Sequence, residues 1–250
     1  MKILITGSEG YIGQALIRRL KRVRPDDQFY TMDLKTGEDI LTSKIWPGDK
    51  IETVIHLAAQ ADVQKSIKKP TNDAQHNIIG TLRVLERYPE ARVIIASSAA
   101  AKDPQSPYGI AKRAIELYAK MLHKNAVVLR FPNVFGRNGR GVVDALIREE
   151  KPTIYGDGTQ TRDFVHVDDI VGGILAATYP SVEPGLYEMG SEKATAIMDL
   201  VAAISARKQV NRAEAREGEI QHSVLQKTLP NWEPTIDVIE YLDNRVKYDL

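Results

Sequence analysis

Short runs of Ile, Val and Leu alternate along the first half of the chain with longer stretches whose apolar positions recur at helical spacing. The runs Lys2–Thr6, Gln28–Asp33, Thr53–Leu57, Arg92–Ser97 and Ala126–Arg130 predict strands. The periodic stretches Tyr11–Val23, Thr71–Tyr88 and Tyr108–Asn125 predict helices between them. Strands without a polar face, separated by helices, imply a parallel sheet covered on both sides, an α/β architecture. After Arg130 the rhythm loosens. Gly and Pro cluster around 136–141 and 152–158, and helices are predicted at Asp168–Tyr179, Thr195–Lys208 and Thr235–Tyr248. We read residues 1–134 plus 162–190 as the sheet domain and 135–161 plus 191–250 as a small α+β lobe. No internal repeat or low-complexity tract interrupts this plan.

Composition narrows the picture in three ways. With 250 residues, 43% hydrophobic and 27% charged, the chain has ample material for a buried core. Lys+Arg 34 against Asp+Glu 33 gives a net charge of +1, which argues against a dedicated nucleic-acid or membrane-surface binder. The absence of Cys excludes disulfides, thiolate metal sites and Cys nucleophiles, and the five His lack metal-ligand spacing, so no metal is expected. No apolar stretch reaches the length of a signal peptide or membrane span, and a soluble cytoplasmic protein is expected.

Candidate chemistry begins with Thr6-Gly7-Ser8-Glu9-Gly10-Tyr11-Ile12-Gly13, a G-x-x-G-x-x-G turn between the first strand and the first helix. Gly7 permits the tight turn, Gly10 admits the backbone to a pyrophosphate, and Gly13 allows close helix–sheet packing. The helix N-terminus presents free N–H groups and a positive dipole end to phosphate. The next strand ends in Asp33, placed to accept hydrogen bonds from an adenosine ribose; its charge also repels a 2′-phosphate, favouring NAD over NADP. The expected fold is therefore a Rossmann-type doubly wound sheet, the small lobe carrying substrate.

A second constellation follows. Ser106-Pro107 is a helix start, with Ser as N-cap and Pro at the first helical position. Tyr108 and Lys112 then stand one turn apart on one face. Ser97-Ser98 end the preceding strand at its carboxyl edge, where open parallel sheets bind ligands. A nearby ammonium, with the positive charge of an oxidised nicotinamide, would favour the Tyr108 phenolate and make it an acid/base near neutral pH.

These motifs, in this order, resemble the extended short-chain dehydrogenases/reductases, in the NAD-dependent epimerase/dehydratase group. The likeness extends through Asp39-Ile40, His56-Leu57-Ala58-Ala59, Asn77-x-x-Gly80-Thr81, Arg130-Phe131-Pro132-Asn133-Val134-Phe135-Gly136, Tyr155-Gly156-Asp157-Gly158, Arg162-Asp163-Phe164-Val165-His166-Val167-Asp168-Asp169 and Arg216-Glu217-Gly218-Glu219. The resemblance implies Ser98 as the substrate-binding catalytic hydroxyl, Tyr108 as acid/base and Lys112 as the residue lowering its pKa. It implies NAD held by Gly7, Gly10, Tyr11, Ile12, Gly13, Asp33, Asp39, Ile40, Leu57, Ala58, Ala59, Asn77, Tyr108 and Lys112, with Asp39 and Ile40 beside the adenine. It implies a nucleoside-diphosphate sugar held by Asn133, Arg162, Arg216 and Glu219, and a homodimer through the helices 71–88 and 108–125. The wide apolar stripe of the second helix, Ile110, Ala114, Leu117 and Met121 beside Ala111, Ile115, Tyr118 and Leu122, agrees with that.

The departures from the family pattern carry information too. Asp33 and Asp39 are too close for the usual helix and further strand between them, so the sheet should have one strand fewer, an economy also found in dTDP-4-dehydrorhamnose reductases. The Ser98-to-Tyr108 and Asn133-to-Tyr155 segments are shortened. Ala99-Ala100 stand where dehydratases of the group place Asp-Glu, which removes the residues for elimination. The expected activity is an NAD-dependent nucleotide-sugar epimerase, at C4 through a keto intermediate. An NAD(P)H-dependent 4-keto sugar reductase and a non-catalytic nucleotide-binding protein are the alternatives.

Overall fold

The computed structural model describes residues 1–48, 50–205, 208–216 and 220–248. In chain order the first elements are β1 (Lys2–Thr6), α1 (Tyr11–Val23), β2 (Gln28–Met32), β3 (Thr53–His56), α2 (Val63–Lys68), α3 (Pro70–Ala74), α4 (Gly80–Arg87), β4 (Arg92–Ser98), α5 (Pro107–Leu122) and β5 (Ala126–Phe131). There follow β6 (Asn133–Phe135), α6 (Val142–Arg148), β7 (Thr153–Tyr155), β8 (Thr161–Arg162), β9 (Phe164–His166), α7 (Val167–Ala177) and β10 (Gly185–Glu188). The last are β11 (Thr195–Ala196), α8 (Ile197–Ile204), β12 (Asn211–Ala213), β13 (His222–Ser223) and α9 (Val238–Tyr248). The chain forms two compact units, residues 1–130 with 171–187, and residues 131–170 with 188–250. The segments 131–134, 162–170 and 188–190, which the sequence pattern assigns to the sheet domain, group with the second unit.

The first unit is built on a six-stranded sheet in the order β10-β5-β4-β3-β1-β2. Strands β2, β1, β3 and β4 run parallel, with Leu4 level with Tyr30 on one side and Val54 on the other. Ile3, Leu4 and Ile5 are all fully buried, and since successive side chains point to opposite faces, both faces of β1 are covered. Leu4, Val54, Val93 and Ile95 join Val84 and Leu85 of α4 and Ile115 and Ala119 of α5 in one apolar cluster. The winding reverses beside β1, the position where open α/β sheets bind ligands. Among the described residues no strand lies between β2 and β3. Residues 34–36 form a single 3₁₀ turn capped by Asp33, so β2 is the sheet edge.

The predicted helix 71–88 is α3 and α4 joined by one π-turn, Gln75–Ile79. The helix after Ser106 starts at Pro107 and ends at Leu122, because His123 turns to extended backbone and spends its Nε2 on the Tyr88 carbonyl. The second unit packs Phe135, Leu146, Ile154, Phe164, Leu200, Ile204 and Leu242 into a core of its own. Two buried or half-buried carboxylates organise its loops. Asp163 accepts from the Ser191 amide and hydroxyl and from the Leu225 amide, while Asp169 accepts from Thr235 and Ile236. No helix among the described residues is long and apolar enough to cross a membrane.

Candidate active site

The turn after β1 is shaped by what it must avoid. Gly7 adopts φ +72°, and a Cβ there would stand 2.6 Å from the Ala58 amide nitrogen. A Cβ on Gly13 would overlap the Gly7 carbonyl oxygen, so α1 reaches the turn only without a side chain there. Helix α1 begins at Gly10 with no side-chain cap and no acidic residue in its first turn, leaving its N–H groups and dipole for an anion. Ser8 Oγ is buried in the same turn without a hydrogen-bond partner among the described residues. An uncapped 13-residue helix, a glycine cradle and a spare hydroxyl fit a dinucleotide pyrophosphate.

Asp33 is tied to this turn. Its Oδ2 accepts from the Glu9 amide at 2.9 Å and its Oδ1 from the Lys35 amide at 2.8 Å, while Lys35 Nζ donates to the Glu9 carbonyl. A carboxylate has lone pairs left over for ribose hydroxyls. Asp39 is a turn cap, accepting from the Leu41 amide, and Ile40 lies in the core cluster, packed where a side chain on Gly80 would collide with it.

The segment after β3, Leu57 to Gln60, is anchored by a hydrogen-bond chain whose proton order can be worked out. Thr81 Oγ1 donates to the Asn77 carbonyl at 2.6 Å, so it must accept from His56 Nε2 at 3.0 Å. His56 Nδ1 is then an acceptor for Thr6 Oγ1 at 2.7 Å, and Thr6 Oγ1 accepts from the Ala58 amide. Burial, with the Lys112 charge adding to it, pushes His56 down to about 3, which agrees with a neutral ring. Asn77 completes the anchor: its Oδ1 accepts from the Gln60 amide and its Nδ2 donates to the Gln60 carbonyl, both at 2.9 Å.

Ser98, Tyr108 and Lys112 come together at the carboxyl end of β4 and the start of α5. Ser106 caps α5 by accepting from the Gly109 amide, and the Tyr108 amide donates to the buried Ser66 Oγ of α2. Ser98 hydrogen-bonds the Tyr108 phenol, and Lys112 Nζ donates to the Ala96 carbonyl at 2.8 Å while lying 5.9 Å from the Tyr108 ring centre. Ser97 serves a different purpose. Its hydroxyl donates at 2.6 Å to Glu116, which also holds Arg130 through two bonds of 2.8 and 2.7 Å.

Within the protein itself, burial outweighs the group that lowers Tyr108, the Ser98 hydrogen bond. Burial pushes Tyr108 up to about 12, with a further rise from Asp73. Burial brings Lys112 down to about 8, opposed by Asp73 and Glu116. Asp73, Gln60, Ser66 and Glu116 thus belong to this neighbourhood and were not singled out from the sequence. The one sequence signal was Asp73 standing four residues before Asn77, the spacing of their hydrogen bond.

In the second unit Asn133 is exposed, its amide bonded to the Asp163 carbonyl. Arg162 donates to the Thr161 carbonyl, and the Arg216 guanidinium lies 3.7 Å from the Tyr155 ring centre. Glu219 lies outside the described residues.

Sheet order and Gly turn together define a Rossmann-type nucleotide-binding protein. A profile of the NAD dependent epimerase/dehydratase family matches residues 3–190, and the chain belongs to that family. It is 28% identical to a putative UDP-glucose 4-epimerase of Methanocaldococcus jannaschii, covering 98% of this chain and 97% of that protein. That alignment runs over 302 positions against 250 residues here, so it contains internal gaps in this chain. Among solved structures, the UDP-glucose 4-epimerase of Thermotoga maritima with UDP-glucose matches at TM-score 0.82 and 28% identity, over 100% of this chain and 98% of that one. The UDP-glucuronic acid 4-epimerase of Bacillus cereus with UDP-glucuronic acid and NAD matches at TM-score 0.84 and 27% identity, over 99% and 98%.

Proposed function

We propose that this protein is an NAD-dependent nucleotide-sugar epimerase acting at C4, with Tyr108 as the acid/base. The observation that carries the reading is the convergence of Ser98, Tyr108 and Lys112 at the carboxyl edge of a sheet whose first turn is open to a pyrophosphate. NAD held there would supply the hydride acceptor and donor, with a positive charge on its oxidised ring. Tyr108 would take the C4 hydroxyl proton as C4 gives up its hydride and the sugar becomes a keto sugar, and would return that proton to the same oxygen once the hydride has come back to the opposite face of C4. Ser98 holds the reacting oxygen, and Lys112 holds the nicotinamide ribose while its charge stabilises the phenolate. Burial, with Asp73 adding to it, pushes Tyr108 up to about 12, and the positive charges of Lys112 and of an oxidised nicotinamide would oppose that rise. The relatives named 4-epimerases support this choice of reaction, and Ala99-Ala100 leave no residues for elimination.

Lys112 and the uncapped α1 fit NAD, with Gly7, Gly10, Tyr11, Ile12, Gly13, Asp33, Leu57, Ala58, Ala59 and Asn77 around it. Asp39, which caps the turn at Leu41, and Ile40 are assigned to the adenine side of the cofactor. Arg216, preset on Tyr155, and Arg162 are assigned to the diphosphate, and Asn133 to the nucleotide sugar. The chain works as a homodimer. Helix α5 buries Ala111, Ile115 and Ala119 yet exposes Ile110 by 59% and Met121 by 81%, a second apolar face on one helix. The test is direct: with NAD present, UDP-glucose should form its C4 epimer without net change in NADH absorbance. Tyr108→Phe should bind NAD normally and turn over about 10²–10⁴-fold more slowly. Stoichiometric NADH consumption on a 4-keto sugar, with no epimer formed, would instead identify a reductase.

A further inference from the structure

The buried carboxylate of Asp73 is not used by the chemistry above, and its surroundings are unusual. It lies in α3 and is 1% exposed. Its Oδ1 accepts from Gln60 Nε2 and Asn77 Nδ2, both at 2.9 Å, while Oδ2 is buried with no hydrogen-bond partner among the described residues. An amide side chain would satisfy Gln60 and Asn77 equally well through its oxygen. A charge kept in this place, with one oxygen bare, incurs a desolvation cost that the two hydrogen bonds do not require.

The groups around Lys112 identify what the charge answers. From α5 the ammonium faces Tyr108 and Glu116, from β3 His56, from β4 the Ala96 carbonyl, and from α3 Asp73. His56 is neutral. Glu116 already serves Arg130 in a two-bond pair at 2.7–2.8 Å and Arg113 at 3.1 Å, so its charge is matched by cations of its own. No such cation meets Asp73 among the described residues. Helices α3 and α5 pack together, and the unmatched Asp73 charge acts on both Tyr108 and Lys112 of α5.

We propose that Asp73, pinned by Gln60 and Asn77 with its second oxygen bare, is the counter-charge of the buried Lys112 ammonium and thereby a positioning residue for the Tyr108–Lys112 pair. It does not touch the reacting atoms. Its presence opposes the Tyr108 phenolate, so its contribution lies in keeping Lys112 charged and directed at Ala96 and the cofactor ribose. The idea rests on the assignment of that pair, but its test reads the lysine proton itself and needs no sugar substrate.

The protein is labelled with [ε-¹³C]lysine, and the Lys112 resonance is the one missing from Lys112→Arg. Its titration is followed with and without NAD. In the unaltered protein the midpoint is expected at about 8, and in Asp73→Asn it should fall by about one pH unit or more. The alkaline loss of NAD affinity should move down with it. Should Asp73→Asn not fold, Asp73→Ser, which leaves room for water, takes its place. A Lys112 midpoint unchanged in the variant overturns the proposal. So does an NAD affinity lowered equally at every pH with that midpoint unmoved, which marks a structural residue.

Discussion

His56 occupies the middle of a chain in which every proton has one place, and that has a thermodynamic consequence. Its folded pKa of about 3 lies below the ordinary 6.5, so between these values the unfolded chain binds the extra proton. Its contribution to stability is therefore complete above pH 6.5 and is lost as pH falls toward 3, at about 1.4 kcal/mol per unit. Denaturant unfolding across this range should show that slope in the unaltered protein and a shallower one in His56→Gln; parallel curves would refute it. Glu116 makes a second case. Its pairing with Arg130 is buried on both sides, 3% and 7% exposed, so Glu116→Gln removes the carboxylate charge from a buried guanidinium. A loss of about 3–5 kcal/mol in unfolding free energy is expected, and a loss under about 1 would show that the pair is not desolvated. A His at a strand end reads from the sequence as a structural hydrogen-bonder, and His56 is one, but its partners were not legible, nor was the role of Glu116; only the fold shows which atoms these side chains meet.

At the scale of elements, the pattern revealed what repeats and missed what is brief. Strands β1 to β5 and helices α1 and α5 follow from apolar runs and from Ser106-Pro107, because burial on two faces leaves an unmistakable signature. Helix α2 was missed. Its six residues include two lysines and make barely more than one turn, too little for a period to emerge. Helix α6 lay hidden after the glycines of 136–141. The π-turn 75–79 was also invisible, since one widened turn leaves helical spacing nearly unchanged, yet it lies where Asn77 holds the Gln60 loop. The Gly turn was legible in the reasons for Gly7, which needs a positive φ, and Gly13, which packs against the Gly7 carbonyl. Gly13→Ala should accordingly weaken NAD binding by forcing α1 away from Gly7, an effect calorimetry would measure as at least about tenfold, or 1.4 kcal/mol. Unchanged affinity would mean that the turn tolerates the shift.

For the whole molecule, the chain combines the Gly turn, the Ser98–Tyr108–Lys112 cluster and a second-unit core with a sheet that ends at β2. The second unit was the least legible part, since its strands are two or three residues long and their pairing is set by contacts such as those of Asp163 and Asp169. The exposed face of α5 makes a whole-molecule prediction: the protein should sediment as a dimer at micromolar concentration, and Leu117→Glu with Met121→Glu should give a monomer. A monomer before substitution would remove that reading. The central claim is hydride removal and return at one sugar carbon, with Tyr108 moving the proton. It is tested most directly by incubating the NAD-loaded protein with UDP-glucose deuterated at C4 and analysing the product by NMR. The account predicts the C4 epimer with deuterium retained at C4. An epimer carrying solvent hydrogen at C4 would contradict it.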